Sequence, residues 1–422
     1  MGRKGPARPG ATLDGVCPPE RAKSEEKVPQ IVFVSDDAIH PLTSGGRLEL
    51  WGELRAFELA GVTVHLVVFH REQISDDDRR RTMALAESVQ FVARRGFVRA
   101  TCRHPASPYQ VSSRAMPPTV VDEIVGACVG PVDAIVASHE WTLPAARRIS
   151  SAVGRPPIVL RSHNDEIAYY RSLAAHATGS KRLYLRIESA RIRGALRRQQ
   201  MWKGVAATAV ISPADEHAYA GTGIPVSVVP PTFDIAPRAR ARPKPERTIG
   251  FIGALDSSHT EEGLRWFVRE VFSVLHEADP TTRLVVAGRR ASPALTSLLR
   301  SASGVEFLGE VDEAAEVYDR ARVFVNPIFS GSGVNMKIGP AMAHGLPVVT
   351  TTIGARGLSF LLPTLVVADD ASSMRADLSS LLGDDDRCQK LSATGVAALR
   401  AHHPETTGPM LRELVTTLRV GA

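Results

Sequence analysis

A chain of 422 residues, 44% hydrophobic and 23% charged, is long for one core and suits two domains of ordinary size. Cys17, Cys102, Cys128 and Cys388 stand far apart with no CxxC pair, which argues against a disulfide framework or a zinc site and suits a reducing cytoplasm. No apolar run approaches the ~20 residues that cross a bilayer, and no apolar h-region follows the charged start, so neither an integral membrane protein nor an obviously exported one is expected.

The formal charge of +6 is unevenly spread. Residues 1–230 hold 30 Lys/Arg against 23 Asp/Glu, and residues 231–422 hold 21 against 22. The basic excess belongs to the first half, which makes an anionic partner or an anionic lipid surface an expectation for that half. No RRM, zinc-finger or aromatic-interleaved basic motif accompanies the charge, so nucleic acid is not expected as a partner.

Residues 1–28 are rich in Pro, Gly and charge without apolar periodicity and read as a disordered lead-in. QIVFVS at 30–35 predicts the first strand. A Gly45-Gly46 loop then opens a helix, Gly61 ends it, and VTVHLVVF at 62–69 is the next strand. Strand, glycine turn, helix and strand make a βαβ unit of a parallel sheet. The alternation continues with VQFVAR at 89–94, a helix near 117–129, AIVAS at 134–138, a helix near 142–153 and PIVLRS at 157–162. AIVAS runs into His139 and Glu140, and PIVLRS runs into His163, Asn164, Asp165 and Glu166. Ligands of open α/β sheets bind beyond the carboxyl ends of strands, so both polar runs point to a cleft.

Residues 181–203 carry eight basic residues against the single acid Glu188, with apolar residues at mixed helical spacing. They predict an amphipathic helix with a cationic face, either solvated or laid on an anionic acceptor or membrane. A strand and a short helix (206–221) and the strand VSVVPP follow, and a Pro- and Arg-rich link at 234–247 separates the halves. The pattern then restarts: strands at 248–254, 282–288 and 305–309, with helices at 261–278, 293–302 and 312–321 between and after them. Helices near 389–400 and 405–418 close the chain. No HExxH, GxSxG or Walker A run appears, so zinc hydrolysis, Ser-His-Asp chemistry and a P-loop have no support.

The most informative run is residues 323–358, VFVNPIFSGSGVNMKIGPAMAHGLPVVTTTIGARGL. It reads as a buried strand, a glycine loop, a helix, a stop at Gly345 and Pro347, and another strand. N–H groups of a helix beginning after Gly333, together with Lys337, would make a site for a phosphate.

This run resembles the donor-binding half of the retaining, nucleotide-sugar-dependent glycosyltransferases of the GT-B fold, glycosyl transferases group 1 and family 4-like. Gly331, Gly333, Lys337, Ala341, Met342, Ala343, Gly345, Pro347, Val348 and Val349 match the family pattern in register. Two family glutamates are replaced, one by Pro340 and one by Ser332, and the Arg and Lys common after the first strand of this half are absent at Ala254, Leu255 and Asp256. The resemblance implies an α/β chain of two Rossmann-like domains facing each other across a cleft, with C-terminal helices crossing back to the first domain. It divides the chain into an acceptor-binding domain at 29–233, a linker at 234–247, a donor-binding domain at 248–400 and a returning helix at 401–422. It further implies metal-independent transfer of a sugar, with retention, from a nucleoside-diphosphate sugar to an acceptor hydroxyl; the acceptor is left open, and the basic first half makes an anionic or lipid-linked one an expectation. His139 and Lys337 are the catalytic candidates. Gly45, Gly46, Gly288, Arg289, Val311, Ser332, Gly333, Val334, Asn335 and Lys337 are the donor-binding candidates. The donor is a substrate, so no separate cofactor is implied, and peripheral contact with the inner face of a membrane through 181–203 is an expectation. Pro340 and Ala254 keep open a non-catalytic relative that binds a sugar or a partner chain, and a sugar-nucleotide epimerase of the same fold is a third reading.

Overall fold

The computed structural model describes residues 27–177, 179–197, 201–236, 246–331 and 333–418. The expected lead-in at 1–28, apart from Lys27 and Val28, and most of the expected linker lie outside these residues, as does Ser332.

Two parallel sheets organise the chain. The first has strands β1 (Gln30–Ser35), β2 (Thr63–His70), β3 (Ser88–Ala93), β4 (Ala134–Ser138), β5 (Ile158–Ser162), β6 (Val205–Val210) and β7 (Val226–Val228), in the order β3-β2-β1-β4-β5-β6-β7. The second has β8 (Thr248–Ile252), β9 (Arg283–Ala287), β10 (Val305–Gly309), β11 (Val323–Asn326), β12 (Val348–Thr350) and β13 (Val366–Val367), in the order β10-β9-β8-β11-β12-β13. The central strands are buried along their whole length because helices cover both faces, which is why they read as unbroken apolar runs rather than alternating ones. Ile31 and Phe33 pack on one face of the first sheet, Val32 and Val34 on the other.

In each sheet the strand order reverses beside the first strand, between β1 and β4 and between β8 and β11. Connections leave in opposite directions at such a point and open a crevice at the carboxyl ends. The two crevices face each other: the Arg290 guanidinium after β9 lies 2.9 Å from Glu72 after β2, and a Cβ added to Gly45 would lie 3.2 Å from the Met336 side chain. The last helix, Pro404–Thr417, returns to the first sheet. Gly408 backs onto the Ala56 carbonyl, Arg412 donates to the Ala60 carbonyl at 2.8 Å, and Leu411 and Val415 join the core around Phe33.

Four sequence expectations change. Gly45 and Gly46 are the first two residues of the helix Gly45–Leu59, capped by Ser44, and not a loop before it. The basic helix spans Gly179–Arg197, and residues 201–204 form a turn. The helix expected at 312–321 is one turn, Ala315–Tyr318. Most consequentially, no helix follows Gly333 directly: it runs Ile338–Ala343, only six residues. Gly333 at φ +83° cannot open a right-handed helix, and Pro340 has no N–H to donate. The helix therefore starts where Pro340 falls on its third residue, whose N–H would have had no intrahelical partner in any case.

Candidate functional site

On the first sheet, β4 ends in His139, which has a φ of +82° that a non-glycine residue seldom adopts. The bend carries the imidazole between two buried carboxylates. Nδ1 lies 2.8 Å from Glu140 Oε2 and Nε2 lies 3.0 Å from Glu166 Oε1, while the ring stacks on Trp141 at 5.4 Å. Burial opposes the imidazolium, but Glu166 and Glu140 outweigh it and hold the His139 pKa well above its ordinary value. Both ring nitrogens thus face carboxylates of the same domain. Glu140 is fixed in turn: it accepts from the Tyr219 hydroxyl and from Ser162 Oγ at 3.2 Å.

One layer below, Arg161 of β5 is 1% exposed and bridges to the helix Gly45–Leu59. It donates to Glu53, to Glu49 Oε1 at 3.0 Å and to the Val229 carbonyl at 2.6 Å, and His163 Nε2 lies 3.4 Å from Glu53 Oε1. Burial and the neighbouring Glu53 push the Glu49 carboxyl up to about 7. Glu53 is held at about 2, because Arg161 and His163 outweigh its burial. Glu49, Glu53 and His163 are close enough together to hold a cation, but the Arg161 guanidinium already fills that place. His163 therefore belongs to the network that fastens helix to sheet.

On the second sheet, β8 ends at Gly253 and β11 leads into the glycine loop. A Cβ on Gly288 would collide with the Gly253 carbonyl, so glycine lets the turns after β8 and β9 close on each other. A Cβ on Gly253 would sit 3.0 Å from Lys337 Nζ, whose ammonium also lies 4.9 Å over the Phe251 ring. Burial pushes the Lys337 pKa down to about 8. Lys337 thus reaches back across the glycine loop to the carboxyl end of β8. Asn335 donates to the Gly354 carbonyl at 3.0 Å, and Val334 packs on Gly357. Gly333 backs onto Asn164 of the first domain, whose Oδ1 would be 3.4 Å from an added Cβ. Val311 packs beside Val285, Ala287 and Val317. A Cβ on Gly46 would meet nothing within 4 Å.

The structure brings Gly45, Gly253, Gly288, Gly333, Lys337 and Asn164 to one junction of the two crevices. Arg289 and Arg290 are turned to its rim, where Arg289 donates to Thr43 Oγ1 at 3.2 Å and Arg290 pairs with Glu72. Two neighbours escaped sequence reasoning. His259, in the first turn of the helix Ser258–Trp266, lies 3.7 Å from where a Cβ on Gly331 would be, and its one sequence signal is its place just past β8. Tyr219 reaches Glu140 from 79 residues away and has no local signal.

Residues 246–384 match the family model described as glycosyl transferases group 1. The match lies within the second unit, which is similar to that family. The two facing parallel sheets make the whole a GT-B fold. Among solved structures, HepE of Anabaena in complex with UDP-glucose superposes with a TM-score of 0.61 at 14% identity, over 92% of this chain and 99% of that one. A variant of S. aureus TarM in complex with fondaparinux, α-GlcNAc-glycerol and UDP gives 0.62 at 9% identity, over 92% and 100%. A curated relative, an uncharacterized 44.6 kDa protein in the cps region of Klebsiella pneumoniae, is 24% identical over 346 residues, 78% of this chain and 84% of that protein. Among the described residues no helix is long and apolar enough to cross a membrane.

Proposed function

We propose that the chain transfers a sugar from a nucleoside-diphosphate sugar to an acceptor hydroxyl, with retention of configuration. The observation that carries this reading is Lys337: a half-buried ammonium, in the unit that matches the group 1 model, held between Gly253 and the glycine loop at the junction of two crevices. That HepE and TarM were solved with UDP supports the donor class. In this reading the anomeric carbon–oxygen bond to the diphosphate breaks and the acceptor oxygen bonds to the same face of that carbon. The acceptor proton passes to the departing phosphate oxygen. Lys337 meets the negative charge that grows on the diphosphate, a fixed charge needing no reorganisation during reaction. Gly288 and Gly333 let the backbone come close to the diphosphate, with Arg289, Val311, Val334 and Asn335 around it. His139 fixes the floor of the sugar site through Glu140 and Glu166.

The exposed face beside the crevice supports peripheral attachment to an anionic membrane. Phe97, 47% exposed beside the 73% exposed Val98, meets the basic helix through the Phe97–Tyr184 ring contact at 5.6 Å, and Leu183 and Ile187 of that helix are exposed as well. Arg99, Lys181, Arg182 and Arg186 belong to the same two helices. A lipid-linked acceptor would be met from this side.

Pro340 favours a second reading, a non-catalytic sugar binder, because it puts no carboxylate where the resembling family carries a glutamate. Calorimetric titration with UDP, GDP and ADP, and assay of nucleoside-diphosphate release with a sugar acceptor present, separate the two. Binding and release support the transferase. Pro340→Glu is expected to tighten nucleotide binding, and a folded protein that binds no nucleotide in either form leaves the second reading standing.

A further inference from the structure

Phe233 stands where the first domain passes into the link, yet it is buried among Met336, Ile338, Ala341 and Met342 of the second domain. A Cβ on Gly339 would fall 2.3 Å from Phe233 Cε1, so the ring occupies the place where the helix Ile338–Ala343 would otherwise carry a side chain. Glycine weakens a helix, and the ring supplies the packing reason for one here. The backbone that carries this ring is fixed to the other domain. The Thr232 carbonyl rests on Gly52 of the helix Gly45–Leu59, where a Cβ would lie 2.3 Å away, and the Thr232 hydroxyl bonds Thr407 Oγ1 at 2.9 Å. The Phe233 N–H donates to the His402 carbonyl at 2.9 Å, and Asp234 accepts from Trp51 Nε1 at 2.9 Å and from Arg55 Nε at 3.2 Å.

Lys337 lies between two such contacts. Before it in the chain, Met336 meets Gly45 at the first residue of the helix Gly45–Leu59. After it, Gly339 meets the Phe233 ring, whose neighbour Thr232 rests on Gly52 about two turns further along the same helix. One helix of the first domain thus gauges the chain on both sides of Lys337. Resting on the transferase reading above, we infer that Phe233 is a positioning residue for that reaction: it fixes where Lys337 Nζ, carried by the second domain, stands relative to the first-domain groups around His139. Holding a diphosphate needs Lys337 and the glycine loop, which share one domain, whereas transfer needs the two domains in register. Phe233 therefore governs turnover and leaves nucleotide affinity unchanged.

The test moves the side chain from the link to the helix: Phe233→Ala with Gly339→Leu keeps the space filled and detaches the helix from the link. Full-length protein is compared by Tm, by calorimetric titration of UDP, GDP and ADP, and by nucleoside-diphosphate release from UDP-glucose, GDP-mannose and ADP-glucose with methyl glycosides as acceptors. Spin labels at Glu123→Cys and Arg300→Cys, exposed positions on the helices Pro118–Ala127 and Pro293–Ser301, read the distance between the domains, with Cys17, Cys102 and Cys128 changed to serine. Expected of the swap are wild-type Tm and nucleotide affinity, a broader distance distribution and a kcat about a hundredfold lower, the loss that a misplacement of about 1 Å causes. Phe233→Leu, which keeps a side chain on the link, should retain most of kcat. Gly339→Ala sets a carbon against the ring and should shift the mean distance and lower kcat, which decides the matter if the swap does not fold; no change in either overturns the inference. Wild-type kcat or an unchanged distance distribution in the folded swap overturns it, and so does an equal loss of kcat and nucleotide affinity, since Phe233 then only fills the core. A wild type that neither binds nor releases nucleotide, with a distribution that the swap broadens, removes the transferase reading and leaves the placement of Lys337 by Phe233 standing.

Discussion

On the proposed transferase reading, Lys337 makes binding of a nucleoside diphosphate sensitive to pH in a calculable way. Its pKa falls from 10.5 to about 8 through burial, and at about 1.4 kcal/mol per pH unit this is about 3 kcal/mol against the ammonium. Because the folded value lies below the unfolded one, the penalty on stability is full below pH about 8 and fades as pH rises toward 10.5. A diphosphate against Nζ favours the charged form and restores the pKa, so binding draws in a proton wherever the free lysine is partly neutral. Near pH 8.5 about three-quarters of a proton should be taken up per nucleotide, against about a tenth near pH 7, and affinity should weaken about tenfold between pH 7 and 9. Calorimetry in buffers of different ionisation enthalpy reads the uptake directly. In Lys337→Ala both the uptake and the alkaline loss of affinity should vanish. That variant should also lose about 2–4 kcal/mol of transition-state stabilisation in kcat/KM, the cost of removing one preorganised electrostatic contact. Equal proton uptake by wild type and Lys337→Ala near pH 8.5 would refute the placement of Nζ against the diphosphate.

Three further predictions concern other parts of the molecule. Arg161→Met strands Glu49 and Glu53 in the interior and should cost about 3–5 kcal/mol in urea unfolding, most of it recovered when both glutamates become glutamines; a loss below about 1 kcal/mol would contradict the network. The raised His139 pKa contributes stability that is full below pH about 6.5 and is lost as pH rises through the folded value. His139→Gln should therefore flatten the alkaline fall of Tm, and His139→Ala should lower kcat far more than nucleotide affinity; parallel Tm profiles would count against the charged clamp, and wild-type kcat against any part in turnover. Wild-type protein should sediment with anionic vesicles at low salt and less at high salt, since each basic residue near such a surface is worth about 1 kcal/mol and is screened. Phe97→Ser with Val98→Ser should weaken attachment at both salt levels, and unchanged sedimentation would exclude this face.

The alternation of apolar runs with glycine turns and amphipathic stretches was enough to place most of the strands, because buried parallel strands are short unbroken apolar runs, set apart from helices by their length, β-branched residues and flanking turn residues. The motif run from Gly331 to Val349 located the half that matches the group 1 glycosyl transferase model for a related reason. Glycines at close backbone approaches and a lysine at fixed spacing are local requirements, written in consecutive residues. The bounds of the helix at Ile338–Ala343 were half legible, since the cost of Pro340 in a helix interior was evident in the sequence while its tolerated place in the first turn depended on where Gly333 bent the chain.

What the sequence could not determine are the pairings made across long separations. Glu166 and Glu140 close on His139, Tyr219 fixes Glu140, and Arg161 pairs with glutamates more than 100 residues away. These contacts set which histidine is charged and which glutamate holds its proton, while burial alone sets how low the Lys337 pKa falls. Desolvation and Coulomb interaction depend on distance in space, and distance along the chain carries no information about it until the two sheets have closed on each other. The same holds for the charge of the N-terminal half. Its sum was fixed by composition, but the division between a basic outer face and the buried carboxylates around His139 was decided by the fold alone.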